Sequence, residues 1–79
     1  MPRYFFDTCV DGTPLRDDEG AELPGLAAVK KAAAYTLADL ARDELPDATR
    51  KREFSVEVRD ETGERVLKTV LVFDLEHGN

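Results

Sequence analysis

The acidic residues between positions 11 and 22 include the one run of three consecutive carboxylates in the chain, side chains that can bind metal ions. Asp17, Asp18 and Glu19 are consecutive, and Asp11 and Glu22 lie nearby. Ca²⁺ and Mg²⁺ prefer carboxylate oxygens, but a calcium loop needs them at alternating positions, closed by a bidentate glutamate. A carboxyl used as a general acid needs apolar surroundings, which this run lacks in sequence. We interpret it as a solvated loop and predict no metal and no cofactor, with cation binding as the open alternative.

Cysteine and histidine, two further residue types common in catalysis, occur once each. Cys9 has no histidine or basic neighbour in sequence, so it is interpreted as a small strand residue. A single cysteine forms no internal disulfide, and nothing indicates an oxidising compartment. His77 falls in a tail that we expect to be disordered from about residue 75. Without a phosphate loop, paired cysteines or zinc-type histidines, the sequence predicts no catalytic residue and a protein that is not an enzyme.

The net charge of −6 argues against nucleic acid as a partner, because that binding depends on basic groups that displace counterions. The one basic cluster, Arg50-Lys51-Arg52, is interpreted as a solvated connector, with contact to an acidic partner as the alternative. No apolar stretch is long enough to cross a bilayer. The opening residues show no charged-then-apolar signal pattern. We therefore expect a cytoplasmic protein with no membrane partner.

Alternating residues predict a first strand over residues 3–10 (RYFFDTCV). Its more apolar face, assigned to the core, carries Tyr4, Phe6, Thr8 and Val10. Its other face carries Phe5, Asp7 and Cys9. The Asp-Gly pair at 11–12 predicts a tight turn. A short edge strand around 13–16, which contains Pro14, and a polar loop over 17–25 follow.

A single long helix is predicted over Leu26–Leu45. Its many alanines favour a helix, and Pro46 ends it by removing an N–H and restricting the preceding residue. One stripe at three- and four-residue spacing is expected to face a sheet. It contains Leu26, Val29, Ala33, Leu37, Leu40 and Glu44. Tyr35 lies opposite this stripe and is either an isolated exposed tyrosine or part of a contact patch.

A hairpin is predicted over the last third of the chain. Residues 53–59 alternate, the turn over 60–63 ends in Gly63, and a strand returns over 65–73. The turn sets Asp60 opposite Glu64. The pairs that follow are Val58 with Val66, Val56 with Lys68, and Phe54 with Val70. A slip of one residue would exchange the two faces of the returning strand.

This register places an apolar row on the sheet face away from the helix. The row contains Leu67, Thr69, Leu71 and Phe73, with Phe5 and Cys9 beside it. A sheet covered by one helix normally has a polar back, and a contiguous apolar patch marks an interaction site. We therefore predict an interface, and a homodimer through the sheet, with the following residues in contact: Phe5, Tyr35, Leu67, Leu71 and Phe73. The alternatives are that residues 11–25 cover part of this row, or that the register differs.

These elements together predict an α+β fold in the order β-β-α-β-β. In it, an antiparallel sheet carries one long helix packed on one face. We expect residues 1–79 to form a single domain.

Three stretches of the chain carry a family resemblance: MPRYFF with the following DG, DDEGAELPGLAA, and VEVRDETGERVLKTV. They resemble a family of small uncharacterised bacterial proteins, a domain of unknown function, over about residues 1–74. Members of that family often have His at the position of Asp7 and Asp at that of Gly25. The first departure argues against a site built on Asp7, and the second removes a better helix N-cap. A looser likeness, at the level of fold alone, is to HicB-type antitoxins, although the order of elements differs and their closing DNA-binding segment is absent here.

The sequence therefore predicts a non-enzymatic interaction module. It would bind another protein, including a second copy of itself, through the back or the edge of the sheet. The alternative is a regulatory small-ligand-binding or antitoxin-like domain that uses the space between the helix and residues 11–25.

Overall fold

The computed structural model describes residues 1–78 and confirms an α+β fold with an antiparallel sheet and one helix. In chain order the elements are β1 (Arg3–Val10), β2 (Thr13–Leu15), β3 (Ala21–Glu22), α1 (Leu26–Glu44), β4 (Arg52–Arg59) and β5 (Arg65–Phe73). The order is β-β-β-α-β-β, which has one short strand more than the sequence predicts. Residues 74–78 follow β5 without a helix or strand. The predicted tail extends to Asn79, which lies outside the described residues.

The sheet is built around β1 and β4, in the spatial order β2-β1-β4-β5. β1 pairs with β4 along Phe5–Val10 and with β2 along Thr8–Val10. β3 pairs with Arg3 and Tyr4 at the beginning of β1. β2 and β3 thus form one edge of the sheet, interrupted by residues 16–20.

β3 was not predicted because the polar residues around it show no alternation. Contacts with β1 hold this segment in place. The Asp17 carboxylate accepts the Phe6 N–H at 3.0 Å, where a neighbouring strand would otherwise supply a carbonyl. Gly20, with φ 71°, directs the chain back to β1, and the Leu23 N–H donates to the Pro2 C=O at 3.0 Å. The predicted loop over 17–25 is therefore wrong at Ala21–Glu22.

α1 ends one residue before the predicted position. The Leu45 N–H still donates to the Ala41 C=O at 2.9 Å, and Pro46 follows. Val29 and Ala33 are fully buried. They pack with the following residues: Val56, Val58, Tyr4, Phe6, Leu23, Leu37 and Leu67. Leu26 is 60% exposed, so the buried stripe begins one turn later than predicted.

The β4–β5 hairpin begins as predicted and then departs from the predicted register. The Asp60 N–H donates to the Glu64 C=O at 2.9 Å, which confirms the turn. The structure then pairs Arg59 with Arg65, and Val58 with Leu67, so that Val66 is the extra residue of a β-bulge. The predicted register is wrong by one residue beyond this point, because a bulge shifts every later pair.

The bulge exchanges the two faces of β5. The residues on the helix side are Leu67, Thr69, Leu71 and Phe73, which pair with Val58, Val56, Phe54 and Arg52. Val70 and Val72 lie on the back of the sheet and are 52% and 49% exposed. The apolar row predicted for the back therefore belongs to the helix side.

Candidate functional site

The five predicted interface residues lie in three different environments. Leu67, Leu71 and Phe73 are half-buried on the helix side of β5, so their placement on the back is wrong. Tyr35 is 62% exposed on α1. Phe5 lies on the back of β1, where it is half-buried. The structure does not bring the five together on one surface.

Phe5 is covered by groups of the same chain. The guanidinium carbon of Arg59 lies 4.5 Å from the centroid of its ring, within the range of a cation–π interaction. Gly20 approaches the ring edge so closely that a Cβ there would lie 2.9 Å from Phe5 Cε1. For Phe5, the structure therefore agrees with the alternative expectation that residues 11–25 cover part of the sheet back.

Asp7, Asp17 and Arg59 form an ion cluster beside Phe5 that the sequence did not predict. Arg59 Nε donates to Asp7 Oδ2 at 2.9 Å, and its NH2 donates to the Asp17 C=O at 2.8 Å. The Asp17 N–H donates to Asp7 Oδ1 at 2.9 Å. The Asp17 carboxylate also accepts hydrogen bonds from the N–H groups of Glu19 and Gly20. The prediction of a solvated acidic loop is thus wrong for Asp17, whereas Asp18 and Glu19 are exposed.

These contacts keep Asp7 and Asp17 ionised. Burial alone raises the pKa of Asp7, but the hydrogen bonds from Arg59 and the Asp17 backbone outweigh it and lower the pKa. Burial also raises the pKa of Asp17, and the N–H groups of Phe6, Gly20 and Glu19 reverse that effect. Both carboxylates therefore act as acceptors that fasten the 16–20 segment to β1 and β4.

A second cluster joins the helix end to the sheet. Arg52 donates to Glu44 Oε1 at 2.8 Å and to the Asp11 carboxylate, and its side chain is only 13% exposed. Its guanidinium carbon lies 5.4 Å from the centroid of Phe54. The interpretation of 50–52 as a solvated connector is therefore wrong for Arg52, which is part of β4 and anchors α1.

The open hollows of the surface include ones of about 360, 380 and 400 Å³. The one of about 380 Å³ lies beside the interrupted edge and is lined by Phe6, Thr8, Leu15 and residues 16–19. Within residues 1–78, no three side chains of His, Cys, Asp or Glu converge as metal ligands would.

The outer edge of β5 is the longest strand edge without a partner strand in residues 1–78. β5 has nine residues and pairs only with β4. The Asp11 N–H donates to the Glu53 C=O at 2.8 Å. Because the backbone groups of successive strand residues point to opposite sides, the N–H and C=O groups of odd-numbered β4 residues face β1 and those of even-numbered ones face β5. Across the observed pairs, the backbone groups of Lys68, Val70 and Val72 consequently point away from the sheet.

Comparison with known proteins identifies a family for this chain but no activity. Searches of curated proteins and of solved structures found no match. No helix within residues 1–78 combines the length and the apolar character that crossing a bilayer requires. A profile of the family described as "Domain of unknown function (DUF6894)" matches residues 3–72. Because this match extends from the start of β1 to the penultimate residue of β5, the chain belongs to the DUF6894 family.

Proposed function

We propose that this protein is a non-enzymatic protein-binding module that associates with a second copy of itself through the open edge of β5. The observation that carries the proposal is the contrast between the two edges of the sheet. A strand with an unpaired row of N–H and C=O groups is a ready template for another strand, and the outer edge of β5 offers a regular segment over residues 67–73.

The opposite edge is unsuited to strand pairing. β2 has three residues, including Pro14, and β3 has two. Between them, the 16–20 segment leaves the strand path, and the Asp17 side chain takes the hydrogen bond that a strand would make to Phe6. Short strands, proline and interruptions are among the devices by which proteins block an edge, together with lysines and bulges. β5 contains no proline, and its bulge at Val66 leaves residues 67–73 as a regular strand with a single lysine.

The side chains of β5 also favour a protein partner. Val70 and Val72 are exposed on the back, next to an edge that could bury them. Lys68 is the one charged residue from 66 to 73, and its aliphatic stem can lie along apolar neighbours. Pairing would place side chains of the second copy beside two exposed valines and reduce their contact with water, while the long Lys68 side chain keeps its ammonium group in solvent.

The oligomeric state of the full chain tests the proposal. We expect light scattering at micromolar concentration to give twice the monomer mass. Val70→Lys should give a monomer, because it puts a charge on the surface to be buried. Tyr35→Lys is the matched control, since it adds the same charge at an exposed position on α1 and should leave the dimer intact. A monomeric unmodified protein, or a dimer lost only with Tyr35→Lys, would overturn the proposal.

A second candidate function rests on the hollow beside residues 16–19. Residues 15–19, from the segment expected to bound a small ligand, line this hollow. It combines Phe6 and Leu15 with the hydroxyl of Thr8, the charge of Arg16 and three acidic residues, which are Asp17, Asp18 and Glu19. A regulatory ligand seated there should raise the melting temperature, because a ligand stabilises the state that it binds. A metabolite panel that leaves the melting temperature unchanged would count against this candidate.

A further inference from the structure

We infer that the two copies pair antiparallel about a twofold axis at Val70, so that the two sheets become one. This inference rests on the proposed function and adds the register of pairing. It follows from the position of the β-bulge, the direction of the backbone groups along β5, and the side chains that each register brings together.

The bulge defines which part of β5 can pair regularly. Val66 is the extra residue between the pairs of Val58 and Arg59, and a bulge disrupts the alternation of backbone groups. The regular segment is therefore Leu67–Phe73, whose midpoint is Val70. Antiparallel pairing about this midpoint uses the whole regular segment of both copies.

The backbone groups of this segment suit the same axis. The outward-facing residues are Lys68, Val70 and Val72. About Val70, each outward-facing residue meets an outward-facing residue of the second copy, and the three pairs exchange about six hydrogen bonds. An axis at Thr69 would bring the bulged Val66 into the ladder. An axis at Lys68 would do the same and would also set two ammonium groups directly opposite each other, which is unfavourable.

Side-chain neighbours about Val70 are compatible on both faces. On the back, Val70 lies opposite Val70 of the second copy. Lys68 lies opposite Val72 of the second copy, where the aliphatic stem of the lysine contacts an apolar side chain. On the helix side, Leu67 meets Phe73, and Thr69 meets Leu71. No like charges are opposed within residues 67–73, and the two exposed valines of β5, Val70 and Val72, become partly covered by side chains of the second copy.

The helices add to such an interface. α1 packs on β4 and β5, so it lies next to the edge that would pair. One added strand places the second copy's helix two to three strand spacings away, roughly 10–14 Å between axes. Side chains of the two helices then lie within reach of each other, above a continuous sheet of both copies.

Disulfide trapping tests the register. In a Cys9→Ser background, Val70→Cys places two thiols across the axis at a Cα separation of about 5.5 Å, which a disulfide can span. Val72→Cys is the matched control, because Val72 is an equally exposed valine two residues along the same face. About Val70, the two Val72 positions lie roughly 13 Å apart, beyond the reach of a disulfide. Mild oxidation should convert most of the Val70→Cys protein to a covalent dimer and leave Val72→Cys unlinked.

The outcomes separate this inference from the proposed function. A dimeric unmodified protein in which Val72→Cys links as readily as Val70→Cys, or in which neither links, overturns the axis at Val70 and leaves edge association standing. A monomeric unmodified protein overturns both. Light scattering of each cysteine variant under reducing conditions shows whether the substitution itself has changed the association.

Discussion

The guanidinium group of Arg59, at the end of β4, lies over the ring of Phe5, near the start of β1. The two residues pair across neighbouring strands, with the guanidinium carbon 4.5 Å from the ring centroid. The same guanidinium bonds to Asp7 and to the backbone of Asp17. Arg59 therefore covers the aromatic residue on the sheet back and holds the 16–20 segment beside it, so that Phe5 contributes to the fold.

Arg59→Ala should lower the free energy of unfolding by about 2–3 kcal/mol, because it removes charge-assisted hydrogen bonds and a cation–π contact. Arg59→Lys keeps the charge but loses the forked bonding and the stacking, so its loss should be intermediate. Arg65→Ala is the control. The Arg65 side chain is exposed, and its acidic partner, Glu57, is 3.9 Å away. The free energy of unfolding measured with urea should therefore change by about 0.5 kcal/mol or less. Equal losses for Arg59→Ala and Arg65→Ala would contradict this account.

Gly20→Ala should destabilise the protein more than Gly12→Ala does. Both glycines have positive φ, 71° and 85°, so both substitutions carry a similar backbone strain. A Cβ at Gly20 would also lie 2.8 Å from the Tyr4 carbonyl oxygen, whereas one at Gly12 meets nothing within 4 Å. We expect a further loss of about 1–3 kcal/mol for Gly20→Ala, measured by urea unfolding. Equal losses would mean that the 16–20 segment moves away from β1 at little cost.

The elements that the sequence predicted correctly depend on local signals. Alternation placed Tyr4 and Phe6 on the core face of β1, and the structure packs both against the buried cluster. Pro46 marked the end of α1 to within one residue. The turn before Gly63 forms as predicted, with Gly63 at φ 89°. In each case the signal lies within a few residues of the element that it specifies.

The features that the sequence missed depend on contacts between distant segments. The bulge at Val66 has no local signature in a run of valines and leucines, yet it exchanged the faces of β5. Alternation assigns Asp7 to the face of β1 away from the core, but its contact with Arg59 follows only once β1 and β4 are known to be neighbours. The open edge of β5 likewise follows from strand order, which alternation does not determine.

Stability should fall in acid because the folded state holds Asp7 and Asp17 ionised. The pKa of each is lowered on folding, so the unfolded state binds more protons and the free energy of unfolding rises with pH. This contribution is fully present above an unfolded-state pKa of about 3.9 and is lost as the pH falls through the lower folded-state pKa values. Urea unfolding between about pH 5 and pH 2.5 measures it.

Asp17→Asn provides the comparison for this pH dependence. It removes one titrating group of lowered pKa while keeping an amide oxygen that can accept one of the backbone N–H groups. The variant should be less stable near neutral pH and should lose less stability than the unmodified protein on acidification. Parallel pH profiles for the two proteins would show that Asp17 titrates alike in the folded and unfolded states.

Gly25→Asp should stabilise α1. Gly25 occupies the N-cap with an extended backbone and no side-chain hydrogen bond, and the first turn contains no acidic residue. A Cβ at Gly25 meets nothing within 4 Å, so an aspartate fits there, can accept a free N–H of the first turn and lies at the positive end of the helix dipole. We expect the free energy of unfolding, measured with urea, to rise by about 0.5–1 kcal/mol.

Gly25→Asn, which caps without a charge, should raise the free energy of unfolding by less, and the gain from the aspartate should shrink at high salt. An equal gain for both variants at all salt concentrations would assign the effect to capping alone, and no gain for either would show that the N-cap is already satisfied by solvent.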